Sequence, residues 1–422
     1  MSADTQNFAP PASEPGTHPY SHELDWPDHL EPWKVVDDGS QSDPYEHYAW
    51  MHEHAPVVRA WTPTNDVWFI AEYAEVRNAF RKPKIFSSEV VKPVPMTFLT
   101  LIDDPEHARL RQVIAKAFTP KALKMFQDLI TKNAERLLNA MIAKGGGDAV
   151  HEFAIPLSMT TIAALLDVPA EDHEKMKFWS DETFSYFGRL ARNAPGTGTD
   201  EQSAKDFWEY LRIRLEELYA EESESMGGHI ARMWKDEGIL SEQEAKELCS
   251  FVFIAGHDTT TILIANAFRM FAEEPQMLEL IRNDESNAPK YVEEVARFRG
   301  TVQRASRVTT EEVEVSGVTL PKGAIVRLLN AAANHDPKKF DDPTTFNIER
   351  DNSGHLGFGA GVHACAGAPL ARMEMLASVL QAARTLKSVT LDPDNPITYV
   401  RGNNLTNAGP ETIYVKLEAL DD

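Results

Sequence analysis

Phe358-Gly359-Ala360-Gly361-Val362-His363-Ala364-Cys365-Ala366-Gly367 is the stretch on which the reading of this chain turns. Two glycines before the cysteine and one after it predict a tight loop whose backbone can approach a flat ligand, with amides free to point at sulfur. Ala368 through Met375 continue as a predicted helix. Backbone N–H donors and a helix N-terminus both favour a thiolate over a thiol, so the sulfur is suited to be a metal ligand or a nucleophile. The plainer alternative is a buried structural cysteine beside a Gly-rich turn.

At every defined position this stretch resembles the heme-binding signature of the cytochrome P450 family, Phe-Gly-x-Gly-x-His-x-Cys-x-Gly. The resemblance implies heme b with Cys365 as its axial ligand and Phe358, Gly359 and Gly367 shaping the loop beside it. It also gives meaning to motifs elsewhere. Glu294-Val295-Ala296-Arg297 supplies the family's Glu-x-x-Arg, and Arg350 matches the third member of its charged triad. Three positions apart on a helix the two side chains share a face, and a second guanidinium can close a buried, paired network. Alone, such a pair is usually solvated and contributes little. His107 and Arg111 in the segment Asp104 to Arg111, Arg307, and His363 in the Cys loop match the family's propionate contacts. Together they offer the charge-assisted donors that two carboxylates require.

Ile254-Ala255-Gly256-His257-Asp258-Thr259-Thr260 lies in a long apolar helix and resembles the family's central I-helix motif. Gly beside β-branched Thr is poor helix chemistry and predicts a widened turn where dioxygen and water can enter. The resemblance sets Ala255 against the cofactor and assigns catalysis to Asp258 and Thr259. Thr259 is then the hydrogen-bonding partner of dioxygen and Asp258 the relay for protons from solvent. The alternatives are a Thr259 back-bond to the i−4 carbonyl and a surface ion pair for Asp258. His257 is expected on the solvent side or in a salt bridge.

The whole chain is consistent with this reading. Its 422 residues, 42% hydrophobic and 25% charged, can bury a sizeable core. A formal charge of −23 repels phosphate backbones and anionic lipid, so neither nucleic acid nor membrane insertion is expected. The two cysteines, Cys249 and Cys365, give no disulfide framework and fit a cytoplasmic protein. Residues 1–40 are a Pro-rich N-terminal tail, and 41–422 read as one heme domain. The expected fold class is mainly α with small β-sheets, the cytochrome P450 fold, with heme between the long I-helix and the Cys loop leading into the L-helix. Strand signals at Val57–Trp61 with Val67–Ile70, and at 313–329, place a small sheet near each end of the helical mass.

With one heme domain and no fused flavin module, electrons from NAD(P)H are expected through a separate ferredoxin or flavodoxin plus its reductase. A basic patch around Arg109, Lys116 and Arg372 is the expected docking face. The expected reaction is hydroxylation or O-demethylation of a small substrate held by Phe251 and Ile254. Gln303 and Arg304 stand where the family often places apolar residues, and a buried Arg without an anion is costly. Thr97, Thr100, Gln303 and Arg304 are therefore read either as a grip for an anionic head, such as an aryl carboxylate or alkylphenyl phosphate, or as an Arg304 turned away to a surface acid with the two Thr capping their loop. The segment 401–407 is also unusually polar. Phe184, Tyr186 and Phe187 are expected in the core rather than on substrate.

Overall fold

The computed structural model describes residues 13–14, 17–30, 44–61, 66–90, 97–191, 198–399 and 409–420. Helices dominate: α1 (Tyr45–His54), α2 (Tyr73–Arg81), α3 (Glu106–Ala115), α4 (Pro120–Leu123), α5 (Gln127–Ile142), α6 (Ile155–Leu166), α7 (His173–Ala191), α8 (Thr199–Ala220), α9 (Met226–Lys235), α10 (Glu242–Glu273), α11 (Gln276–Asn283), α12 (Asn287–Phe298), α13 (Asn330–Asn334) and α14 (Ala368–Thr385). The longest, α10, begins with a capping box in which Ser241 and Glu244 satisfy each other's backbone amides. It then runs through the middle of the core, packing on α6, α8, α12 and α14. Its apolar residues face outward all round because neighbours cover every side.

Two segments, Ala149–Leu166 and Glu242–Glu273, are apolar and long enough to cross a membrane. Most of each is buried inside the protein, so this apolar surface belongs to the core. The first starts as a π-wound turn, Ala149–Ala154, before settling into α6.

One expectation is corrected by the strand pairing. The N-terminal hairpin β1 (Val57–Trp61) and β2 (Asp66–Ile70) does not form a sheet of its own. With β3 (Phe86–Ser87), β5 (Ala305–Thr309) and β8 (Ile325–Leu328) it makes one five-stranded sheet in the order β1-β2-β8-β5-β3, in which β2 and β8 run parallel. Strands distant in sequence meet because each hairpin alone leaves an unpaired edge. A second sheet joins β4 (Gly146–Asp148) to β9 (Leu386–Leu391) and β12 (Tyr414–Ala419), and β6 (Val313–Val315) pairs with β7 (Val318–Leu320) as a separate ribbon. The part of the tail that is described lies on the larger sheet, where Trp26 stacks on Trp50 at 3.9 Å and Tyr20 bridges to Arg59.

The Glu-x-x-Arg helix ties this framework together. Arg297 grips both Glu294 oxygens at 2.8 and 2.7 Å and also donates to the carbonyls of Asn334 and Pro343. Arg350 approaches Glu294 at 3.7 Å and donates to the carbonyls of Asp342 and Thr345. Glu294 and Arg297 are fully buried. Their complete hydrogen bonding is what makes buried charge tolerable.

Candidate active site

A cavity of about 340 Å³ opens between α10, the start of α14, α3, α7 and the segments 98–101 and 301–307. Cys365, Phe358, Gly359 and Gly367 line it from the Cys loop, and Phe251, Ile254, Ala255, Asp258 and Thr259 line it from α10. Residues 110 positions apart in the chain thus share one wall system.

The loop is held by its own backbone: the Cys365 amide donates to the Phe358 carbonyl at 2.9 Å. Gly359 and Gly361 sit at φ +68° and +69°, where a side chain is strained, and a Cβ on Gly361 would also collide with the Phe80 carbonyl. Burial among protein atoms pushes the Cys365 thiol up, although its sulfur opens onto the cavity. The amides of Gly367 and Ala368, at the N-terminus of α14, and the guanidinium groups of Arg111 and Arg372 act in the opposite direction. This donor set suits a thiolate bound to a metal.

Beside the sulfur lies a group of cationic and imidazole donors with too few acceptors. Arg307 is buried, donates to its neighbour's Ser306 carbonyl at 2.6 Å, and desolvation pushes it down to about 10. His107 packs on His363 with ring centroids 4.0 Å apart, and its Nε2 is buried without a partner. Burial followed by the nearby Arg307, His107 and Arg111 pushes His363 down to about 3. Arg111 donates to the Ala364 carbonyl at 2.5 Å. A buried cation cluster with an orphaned imidazole nitrogen fits a flat, dianionic ligand whose carboxylates complete these bonds. His107, Arg111, Arg307 and His363 all line the cavity that Cys365 opens onto.

The oxygen-side helix departs from expectation. No turn of α10 is widened: it is continuous α-helix from Glu242 to Glu273, and the Thr259 hydroxyl donates to the Ala255 carbonyl at 2.8 Å. The back-bond satisfies the hydroxyl without opening the helix. Gly256 serves packing instead, since a Cβ there would press into the Ile162 side chain of α6. Asp258 lines the cavity, and its Oδ1 lies 3.0 Å from Nε2 of the fully buried His257. Burial raises the Asp258 carboxyl, but the adjacent His257 outweighs this and holds it below its ordinary value.

The anionic grip does not assemble. Thr97 turns its hydroxyl and amide to Glu247 at 2.7 and 2.8 Å, a carboxylate that repels an anion. Gln303 accepts from Tyr48 at 3.0 Å and donates to the Gly300 carbonyl at 2.9 Å, deep in the protein. Arg304 is not among the residues lining the cavity, whereas Thr100 is. Strand β5 begins just beyond Arg304, and its residues Ala305, Ser306 and Arg307 line the cavity instead. The polar segment 401–407 lies outside the described residues, as does the side chain of Phe187.

Phe184, expected in the core, lines the cavity instead. The loop before α3 and the segment after Glu-x-x-Arg, both expected at the pocket, supply Phe98, Thr301 and Val302, residues that were not singled out. Phe98 meets Phe251 edge-on at 4.9 Å, and the Thr301 hydroxyl donates to the Thr259 carbonyl at 2.9 Å. Nothing in a single aromatic or hydroxyl distinguishes a cavity wall from a core position until the helices are packed.

The expected basic patch is also reduced. Arg372 is held bidentately by Glu293 at 2.6 and 2.9 Å, and Arg109 is paired with Glu106 and Glu244. Lys116 remains exposed.

Residues 224–397 match the family profile described as Cytochrome P450. Cytochrome P450 109 of Bacillus spizizenii is 32% identical over 356 residues, spanning 83% of this chain and 86% of the relative. This chain belongs to the cytochrome P450 family. A second P450 relative, the vitamin D(3) 25-hydroxylase of Pseudonocardia autotrophica, is 32% identical over 346 residues, 79% of this chain and 83% of that protein. Among solved P450 structures, a mutant of P450 EryK in complex with erythromycin B superposes with a TM-score of 0.80 at 28% identity, covering 90% of this chain and 98% of the other. The protein is accordingly a heme-thiolate monooxygenase with the P450 fold.

Proposed function

We propose that this P450 hydroxylates a neutral, largely apolar substrate, with heme b bound through Cys365 and its propionates met by His107, Arg111, Arg307 and His363. The observation that carries the substrate reading is the wall of the cavity. Phe98, Phe184, Phe251, Ile254 and Val302 supply the apolar contacts, while Thr100 and Thr301 offer hydroxyls that can orient a neutral oxygen. Burying apolar surface there contributes about 25 cal/mol per Å². The Glu247 carboxylate, bound by Thr97, disfavours an anion beside it. An aryl carboxylate or phosphate is the weaker reading, since Gln303 and Arg304 are not cavity-lining residues.

When bound, heme supplies the reductive activation of dioxygen and the insertion of one oxygen atom into a C–H bond. The chain's own residues do the rest. The apolar wall orients the substrate and excludes water. The Gly367 and Ala368 amides with Arg111 and Arg372 hold negative charge on the Cys365 sulfur. Asp258, at the cavity wall and next to a buried imidazole, is the group placed to hand on a proton, and Thr259 can receive it once its hydroxyl leaves the Ala255 carbonyl. Relatives named as hydroxylases of vitamin D(3) and of erythromycin support large apolar substrates.

Electrons are proposed to come from NAD(P)H through a separate reductase and a ferredoxin or flavodoxin. Spectral titration of the ferric protein with matched neutral and anionic aromatic and polycyclic compounds tests the substrate reading. Tighter binding of the neutral member of each pair is expected. Consistently tighter binding of carboxylates or phosphates would reject it.

A further inference from the structure

His257 faces two acceptors at 3.0 Å, and the one hydroxyl near its Nε2, that of Ser180, is more distant at 3.5 Å. Its Nδ1 lies 3.0 Å from the Phe253 carbonyl, which can only accept, so that nitrogen carries a hydrogen. Its Nε2 lies 3.0 Å from Oδ1 of Asp258. A neutral imidazole would point a lone pair at that carboxylate, so a second proton must sit between them. The pair is therefore loaded with one proton more than a neutral imidazole beside a carboxylate would hold. It lies where a proton is needed, since Asp258 lines the cavity while His257 has no solvent exposure.

The far side of the pair leads outward through α7. Donor and acceptor atoms of His257, Asp258 and Asp181 all lie within 4.8 Å of one another, a gap that one water spans. Asp181 is exposed at the surface and accepts from Lys177 through both oxygens at 2.7 Å. Ser180 lies 3.5 Å from Nε2. Lys177, Asp181 and Ser180 from α7 and Asp258 and the Phe253 carbonyl from α10 are the charged and polar groups facing the imidazole among the described residues, and the Phe253 ring lies 5.3 Å from it. The Lys177 ammonium already supplies a cation at Asp181, which favours proton passage over metal binding at this cluster.

We infer that His257 is a positioning and relay residue that stores the proton for Asp258 and is recharged from solvent past Asp181. The inference rests on the proposed proton role of Asp258. In each delivery the Nε2–H bond breaks as the proton passes to Asp258 Oδ1, and the O–H bond so formed then breaks as the same proton leaves for the cavity. The pair then carries one negative charge, until a solvent proton arriving by way of water at Asp181 restores the imidazolium. Burial opposes the charged imidazole, but Asp258 outweighs it and leaves its pKa raised.

The test uses full-length, heme-loaded protein with selectively 15N-labelled histidine. In the reduced carbon monoxide complex, which is diamagnetic, the signal lost in His257→Gln identifies the imidazole. The expected result is both ring nitrogens protonated at pH 7, and a single neutral tautomer in Asp258→Asn. In parallel, product formed per NADH consumed should fall about tenfold in His257→Phe, less than the roughly 10²–10⁴-fold typical of a group that hands the proton on directly. Peroxide release should rise correspondingly, and the pH profile should lose its alkaline limb. Asp181→Asn, a surface change, should slow turnover more at high pH than at low pH. A neutral His257 at pH 7, or unchanged coupling in His257→Phe, overturns the inference. A missing carbon monoxide band in the wild type would instead count against heme binding itself, and coupled turnover unaffected in Asp258→Asn against the role of Asp258.

Discussion

The Thr97 amide and hydroxyl converge on a single oxygen of Glu247, at 2.8 and 2.7 Å. Glu247 is almost fully buried on α10, so this contact pins the end of the segment over the cavity to the central helix. Thr97→Val removes the hydroxyl while keeping the shape, leaving a buried carboxylate short of one donor. A stability loss of about 1–3 kcal/mol is expected, together with weaker substrate binding as the segment loosens. Denaturant titration and the substrate-induced spectral shift measure the two effects.

Arg304 takes no part in lining the cavity. Arg304→Ala should therefore change the dissociation constants of neutral and anionic aromatic compounds by the same factor. Phe251→Ala, by contrast, removes a ring that packs against Phe98 in the cavity wall and should weaken apolar substrates by about 2–4 kcal/mol.

Arg297 and Glu294 form a buried bidentate pair braced by the Asn334 and Pro343 carbonyls. Lysine has one charged nitrogen and cannot reproduce the fork. Arg297→Lys is expected to cost about 3–5 kcal/mol. It should be seen as a lowered denaturation midpoint and reduced heme retention.

His335 is deep in the protein, with Nδ1 on the Ala331 carbonyl at 2.9 Å. Burial, then Arg297 and Arg299, pushes it down to about 3. In this state it stays neutral while an unfolded histidine binds a proton below about 6.5. Stability tied to this group is fully present above pH 6.5 and is lost as pH falls toward 3. The loss should reach about 3–5 kcal/mol at the acid end. His335→Gln should flatten that part of the pH–stability curve if its own carbonyl-directed donor is kept.

Glu374 on α14 gives the opposite slope. Its Oε2 has no partner, and burial pushes its carboxyl well above the ordinary range. The Thr161 hydroxyl beside it acts in the opposite direction, but burial prevails and favours the protonated carboxyl. A carboxyl raised on folding contributes stability below its unfolded value that is lost as pH rises. Glu374→Gln keeps a donor and cannot ionise, so it should match the wild type near pH 4 and exceed it at pH 8 in thermal melts.

The Cys365 loop and the Glu294–Arg297 pair were legible from short-range spacing, since glycines flank a sulfur that meets a flat ligand and Glu and Arg three apart share a helix face, whereas Arg350 and the cation cluster, drawn from separate segments, were legible only through the family resemblance. The widened turn in α10 was misread because composition reports local propensity only. Helix α10 stays regular where Gly256 admits α6 and Thr259 bonds back to Ala255. The anionic grip was misread for a related reason, since polarity in a string does not say which way a side chain turns.

Order and residue type alone specified a helical scaffold and a Gly-flanked cysteine loop, and the family resemblance added the expected donors for two carboxylates. Packing alone decided that Thr97 answers Glu247, that Gln303 answers Tyr48, and that His257 shares a proton with Asp258. Each of these choices depends on which partner folding brings within about 3 Å, and hydrogen bonds and ion pairs fall away too steeply with distance and angle to be inferred from one strand of letters.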